Sequence, residues 1–500
     1  MKHLFNFFRD HIIEYLFIAL ALAGAGYLAF TYGSYAKPGS NPRTAYVEKI
    51  FDQTRIHKVS IEIASDDFQN LLAAPREKEK YATKVVIDGE QFSDVAFSTR
   101  GNGSLMELAA DEESSRYSYT LNFRKFNKDG SYHGLDKLVL NNLYVDGSYL
   151  KNYLAFKLAA ATGIDMPLTS FTELYINGEL KGLYLAIEGV DRSFLARTNS
   201  SSDAALFHPV PYSIDHNRIY QESKAYAEPS DGPWAEDPGY NGANLKYLGK
   251  APESYDAIFK NATTKYSRAD ETLIVDAIRS LEPSELSRPP EDFWDIDAVI
   301  NFFASAALAP NVDSYVGVTA QNYYLKLSGG KLSLIPWDHD RAFHVGGLSQ
   351  TINNEDGAIL WPIDSPLIDV SNDDRPLWRL IAENPEYLAK YHSTLQTTLD
   401  AYLLNGKCRQ EFDAAVELIR HYVYSDPTRF SSTDEFEDEV EYLRRFILLR
   451  ADSVQKQLWG LLPSTRDESE PFDYESLIPS GLLPEGVLSP QTETEKSPLE

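Results

Sequence analysis

A single cysteine, Cys408, stands in a chain of 500 residues. One thiol forms no intrachain disulfide and excludes a zinc site built from clustered cysteines. Its place at a helix boundary suits a small, partly buried residue better than a catalytic thiol. Positive charge is also scarce. There are 47 Lys and Arg against 74 Asp and Glu, a formal charge of −27. Such a surface repels a phosphate backbone, which excludes general affinity for nucleic acid. No internal repeat is evident, so a solenoid or propeller is not indicated. Long apolar runs are absent apart from one.

That run covers residues 12–32, IIEYLFIALALAGAGYLAFTY. A helix needs about 20 apolar residues to cross a bilayer, and the run supplies them with one charge, Glu14, near its start. A cleaved signal peptide would have a shorter apolar core ending at a small-x-small site. Here Ala-Gly-Ala falls mid-run, so an uncleaved anchor is expected. The expected placement is a single-pass membrane protein with residues 1–11 inside and the bulk of the chain extracytoplasmic. Residues 33–54 then form a linker, opening on a Gly, Ser and Pro-rich stretch.

Hydrophobic residues make up 43% of the chain, with 31 Tyr and 25 Phe, which points to a folded core rather than disorder. From Val59 the segments VSIEI, KVVIDG, DVAFSTRG and YTLNF alternate apolar and polar residues, as half-buried strands do. Tyr149 to Ala161 carries Leu150, Leu154 and Leu158 on one helical face, with Gly163 as the stop. FTELYINGELKGLYLAIE reads as a hairpin turning at Asn177-Gly178. Residues 199–250 are irregular and rich in Pro, Gly and Tyr, which suggests a long excursion between two lobes. From Asp295 the period becomes helical, interrupted by the strand pair QNYYLKL and KLSLIPWD. The last helix begins after Ser-Thr-Asp, a cluster suited to an N-cap. The tail, 463–500, holds nine acidic and two basic residues and is expected to be disordered. The resulting division is a strand-rich lobe at 55–198, an irregular interlobe region at 199–290 and a mainly helical lobe at 291–462.

The densest set of chemically capable residues lies between Asn311 and His344. Asp313 follows an apolar helix, Asn322 opens a strand, and Asp338 and Asp340 follow the second strand. Phosphoryl transfer uses parts of this kind: one carboxylate takes the proton of the attacking hydroxyl, while an Asn and another carboxylate hold a divalent ion against the phosphates. Loop caps and surface turns use the same residue types. His339 and His344 with the neighbouring acids leave open a transition-metal site, although along a continuing strand His339 points away from Asp338 and Asp340.

The segment NVDSYVGVTAQNYYLKL…KLSLIPWDHDRAFH resembles the pattern of the CotH (spore coat protein H) kinase family. STRGNGS is similar to its Arg-Gly-x-Gly-x-Ser element. KLVLNNLYVDGSYLKNYLAFKLAAATG and LYINGELKGLYLAIEGVD are similar to its helix module and its Glu-ended hairpin. The resemblance covers roughly residues 55–460. It implies an α+β, atypical protein-kinase-like two-lobed fold, here preceded by one transmembrane helix. It also implies ATP with Mg²⁺ or Mn²⁺ as cofactors, and an exported protein phosphorylated on Ser or Thr as partner. Asp313 matches the catalytic acid, while Asn322 and Asp338 match metal-holding residues. Asp340 is a second metal candidate. Glu188, Arg100 and Arg116 are candidates for the nucleotide side. The chain departs from ordinary kinases in having no His-Arg-Asp, Asp-Phe-Gly or Val-Ala-Ile-Lys. A catalytically silent surface-binding or adhesion module and a metal-dependent hydrolase are the alternatives.

Overall fold

In the computed structural model, residues 44–111, 114–214, 240–283, 288–343 and 355–466 are described. The strands are β1 (His57–Glu62), β2 (Tyr81–Ile87), β3 (Glu90–Arg100), β4 (Ser118–Asn122), β5 (Lys137–Asn141), β6 (Thr169–Ile176), β7 (Glu179–Glu188), β8 (Ala205–Phe207), β9 (Tyr323–Ser328) and β10 (Lys331–Pro336). The helices that matter for the site are α1 (Gly103–Ala110), α2 (Lys151–Ala161), α3 (Arg192–Arg197), α4 (Ile296–Leu308), α5 (Pro385–Thr398), α6 (Lys407–Ser425) and α7 (Thr433–Leu458).

The first seven strands close into a barrel in the order β1-β2-β3-β4-β5-β7-β6. This corrects the expected two-lobed kinase-like fold. The closing contact is parallel, with Val59 opposite Leu174 and Ile61 opposite Ile176. Closure leaves no edge strand exposed. Alternation along β5 and β7 divides the side chains between two cores. Leu138, Leu140, Tyr184 and Ala186 pack inside the barrel. Val139, Leu183, Leu185 and Ile187 face outward and join the core of the helical part. One barrel wall is therefore buried on both sides.

Helix α4 is apolar nearly all round, as a helix buried on every side must be. Asp295 caps its start by accepting from the Ala298 amide, and it packs against α2, α5 and β10. Pro310, just past its end, cannot extend it, and the chain turns into the loop that carries Asp313. Strands β9 and β10 pair in register from Tyr323↔Pro336 to Ser328↔Lys331. The Gly329-Gly330 turn between them has φ values of 58° and 77°, as a two-residue hairpin turn requires.

Barrel and helical part are locked by a buried ion pair. Arg116 Nη1 donates to Asp426 Oδ2 at 2.7 Å, and both side chains are almost fully enclosed. Arg116 Nη2 also donates to the Leu183 carbonyl, and the Leu183 amide donates to Asp426 Oδ2. Gly182, at φ 106°, leaves the room: a Cβ there would meet Asp426 oxygens at 2.5–2.6 Å. Removing one partner of such a pair strands a buried charge and costs about 3–5 kcal/mol. Asp426→Ala is expected to lose that much stability in denaturant unfolding, whereas exposed pairs such as Lys84–Glu62 are expected to be nearly neutral.

The membrane run at 12–32 lies outside the described residues, as do residues 467–500 of the tail. Among the described residues no helix is long and apolar enough to cross a membrane. The expectation of a fold preceded by a transmembrane helix is therefore not carried forward.

Candidate functional site

The loop after α4 and the open end of the β9–β10 hairpin meet at one place. The Trp337 amide donates to the Asn322 carbonyl at 2.9 Å. Asn322 Nδ2 donates to the Asp313 carbonyl at 2.7 Å and to its carboxylate at 3.2 Å. Gln321 Nε2 donates to Asp313 Oδ1 at 2.6 Å. Asn311 holds both sides: its Oδ1 accepts from the Asp313 amide at 3.0 Å, while its Nδ2 faces the Asp338 carbonyl at 3.5 Å. The backbone is strained here. Ala320, Asn322 and Asp338 have φ values of 47°, 57° and 53°, the left-handed region that Asn and Asp tolerate best. Strain of this kind persists only where surrounding contacts impose it.

Asp313, Asn322, Asp338 and Asp340 all line one cavity of about 250 Å³, closed on the barrel side by Gly101 to Ser104. A smaller space of about 30 Å³ adjoins it, lined by Arg100, Asn152, Asp338 and Asp340. Arg100 thus reaches the acids, with its guanidinium also 5.3 Å from the Trp337 ring centre. The turn at Gly101 to Ser104 continues into α1, whose first residue is Gly103. A larger cavity, of about 1010 Å³, lies away from these acids.

Three carboxylates this close disfavour full ionisation. Burial pushes the Asp338 carboxyl up to about 6; Arg100 and Arg341 oppose the rise and Asp313 adds to it. Asp340 is raised well above the usual carboxylate range, first by burial and then by Asp338 and Asp313. Both lie deep in the fold, yet each still presents part of its surface to the cavity. Asp338 Oδ1 has no hydrogen-bond partner among the described residues. Among the described residues no three His, Cys, Asp or Glu side chains are grouped to hold an ion unaided. Mg²⁺ is commonly held by one or two carboxylates completed by phosphate and water. Two crowded carboxylates, one with a free buried oxygen, and a nearby amide fit that kind of ion.

Other candidates from the sequence lie elsewhere. Arg116 is spent on Asp426. Glu188 is fully buried and accepts from Tyr46 Oη at 2.5 Å, from Arg197 Nη2 at 2.7 Å and from the Leu168 amide at 3.1 Å. Neither lines the acidic cavity. His339 is buried against Phe156, and burial lowers it to about 4, so it is a neutral packing residue at neutral pH. His344 lies outside the described residues. Cys408 is 1% exposed, and burial pushes its thiol up to about 12, leaving it inert.

Sequence reasoning named Asn311 only as the edge of the polar cluster and gave neither it nor Asn152 a role. Asn152 Oδ1 accepts from the His339 amide at 2.7 Å, between the two acids, and its Nδ2 has no partner among the described residues. No periodic pattern marks them, because an amide in a helix or loop reads as surface. Asn152→Leu keeps the branched shape and the number of side-chain heavy atoms but leaves the His339 N–H unpaired. It is expected to cost about 1–3 kcal/mol in denaturant unfolding.

Residues 97–454 match the family model described as CotH kinase protein. The chain is 23% identical over 357 residues to inner spore coat protein H of Bacillus subtilis (strain 168), spanning 69% of this chain and 86% of that protein. That relative is by name a spore coat protein. Among the described residues no helix is long and apolar enough to cross a membrane, and the expected membrane-anchored, extracytoplasmic placement is withdrawn.

Proposed function

The chain belongs to the CotH kinase family, and on that premise we propose that it is a divalent-metal-dependent phosphotransferase passing the terminal phosphate of ATP to a Ser or Thr hydroxyl of a protein. The observation that carries the reading is the meeting of Asp313, Asn322, Asp338 and Asp340 around one cavity, with Arg100 beside the acids.

Each residue has a role in this reading. Asp338 and Asp340, with the Asn322 amide, hold Mg²⁺ or Mn²⁺, and Asn311 and Asn152 fix the loop that presents them. When bound, the ion draws charge from the phosphate oxygens and relieves the crowding of the acids. Arg100 faces the phosphate side with a fixed positive charge. Asp313, across the cavity, orients the acceptor hydroxyl and takes its proton. Asp313 is then the base and Asp338 the metal ligand, so the two should fail in different ways when replaced.

A catalytically silent binding module is supported by one observation. Both Asp313 oxygens already accept a hydrogen bond, from Gln321 and Asn322, which suits a structural carboxylate and leaves only part of its acceptor capacity for a substrate hydroxyl. Thermal unfolding of the full chain separates the functions. The transferase reading expects ATP with Mg²⁺ or Mn²⁺ to raise the melting temperature well beyond metal alone. No nucleotide-dependent rise would remove it.

A further inference from the structure

The cavity of about 1010 Å³ is lined by Arg124, Lys125, Lys137, Arg192 and Lys265, against two carboxylates, Asp136 and Asp191. That is an excess of three positive charges in a chain whose formal charge is −27. Both carboxylates are already occupied. Asp191 Oδ1 accepts from the Ser193 amide and hydroxyl at 2.9 and 2.7 Å, and its other oxygen lies 3.8 Å from Lys137 Nζ. Asp136 sits between Arg192 Nη2 at 2.8 Å and Arg124 Nε at 3.8 Å. Lys125 and Lys265 are exposed and have no acidic partner among the described residues.

The place of this cavity relates it to the acids. Ser201, on its wall, donates through its amide to Ser328 Oγ at 3.0 Å, and its hydroxyl accepts from the Gly329 amide at 2.9 Å. Ser328 and Gly329 form the closed end of the β9–β10 hairpin, whose open end carries Asn322 and Asp338. Six residues of strand at about 3.3 Å each put the two ends ~20 Å apart. An extended polypeptide covers that span with about six residues.

We propose that this cavity binds a phosphoserine-bearing segment of a polypeptide while a second serine of that segment lies at the acidic site. A phosphoseryl group carries about −1.5 to −2 charges and three strong acceptor oxygens. An Arg fork takes two of its oxygens bidentately, and its greater charge and third acceptor oxygen add to what a lone carboxylate offers. Two arginines already converge on the Asp136 oxygens, so an anion beside them meets donors in place. The surrounding negative surface repels acidic chains elsewhere and focuses them here. The inference rests on the phosphotransferase reading for the origin of the phosphate and for the serine at the acidic site, and not for the binding of the phosphorylated segment itself.

The test is fluorescence anisotropy of the full chain without nucleotide. The probes are a labelled peptide with a phosphoserine about six residues from a second serine, the same peptide unphosphorylated, and the same peptide with Asp in place of the phosphoserine. The phosphopeptide is expected to bind about tenfold or more tightly than either control. The double variant Lys125→Glu/Lys265→Glu, checked for an unchanged melting temperature, is expected to lose that preference while keeping transfer to a short unphosphorylated peptide. Equal binding of the Asp and phosphoserine peptides would overturn the proposal. So would an unaffected double variant, absence of binding, or displacement of the peptide by ATP. Binding intact in a protein without transferase activity would overturn the function reading and leave this one standing.

Discussion

Asp338→Asn is expected to remove the metal-dependent part of nucleotide stabilisation. Asn is the informative replacement because residue 338 sits at φ 53°, which Asn adopts at less cost than Ala. Only the charge is removed. At ligand concentrations 100-fold above Kd, binding to the native state alone is worth about 2.7 kcal/mol, and the variant should lose most of it. The unliganded variant should behave in the opposite sense. The Asp338 carboxyl is raised from 3.8 to about 6, chiefly by burial. It binds its proton more tightly folded than unfolded, so stability is lost as pH rises through that interval. At neutral pH the wild-type protein holds an ionised, crowded group that the variant lacks. The unliganded variant should therefore melt no lower than the parent. A lower melting temperature without ligand would mean that Asp338 is structural.

Asp313→Asn is expected to bind nucleotide and metal like the parent and to transfer phosphate ~10²–10⁴-fold more slowly, the usual worth of general-base assistance. The amide oxygen keeps the Gln321 Nε2 donor, and Asn322 Nδ2 retains its 2.7 Å bond to the residue 313 carbonyl, so the loop should stay in place. A matched loss of binding and turnover would instead place Asp313 among the nucleotide ligands.

The pattern of residues foretold local structure better than long-range closure. Asn177-Gly178 forms its turn with φ values of 50° and 85°, because that dipeptide carries its own conformational preference. Ser432 caps α7 in a reciprocal pair with Glu435, again a signal contained in four residues. Barrel closure depends on β1 pairing with β6, more than 100 residues later, and no local pattern encodes a parallel partner at that distance. The same limit applies to single residues. Arg116 reads as a free cation on an alternating strand, yet its partner Asp426 lies 310 residues away. Glu188 ends a hairpin and reads equally as a nucleotide contact or as one half of a salt bridge to a nearby basic residue; Arg197 on the next helix takes it. The acids at 313, 338 and 340 were conspicuous because loop and hairpin sit close together in the chain. Their supports, Asn152 above all, were not, because that side chain comes from α2, 187 residues away from the amide it holds.

The most direct test is phosphate transfer itself. The full chain is incubated with ATP and Mg²⁺ or Mn²⁺ and a degenerate set of Ser- and Thr-containing peptides, and products are read by mass spectrometry. The account predicts phosphopeptides that require both nucleotide and metal and that nearly vanish with Asp313→Asn. Phosphopeptides formed as fast by Asp313→Asn as by the parent would contradict it, as would none at all from a parent that binds nucleotide.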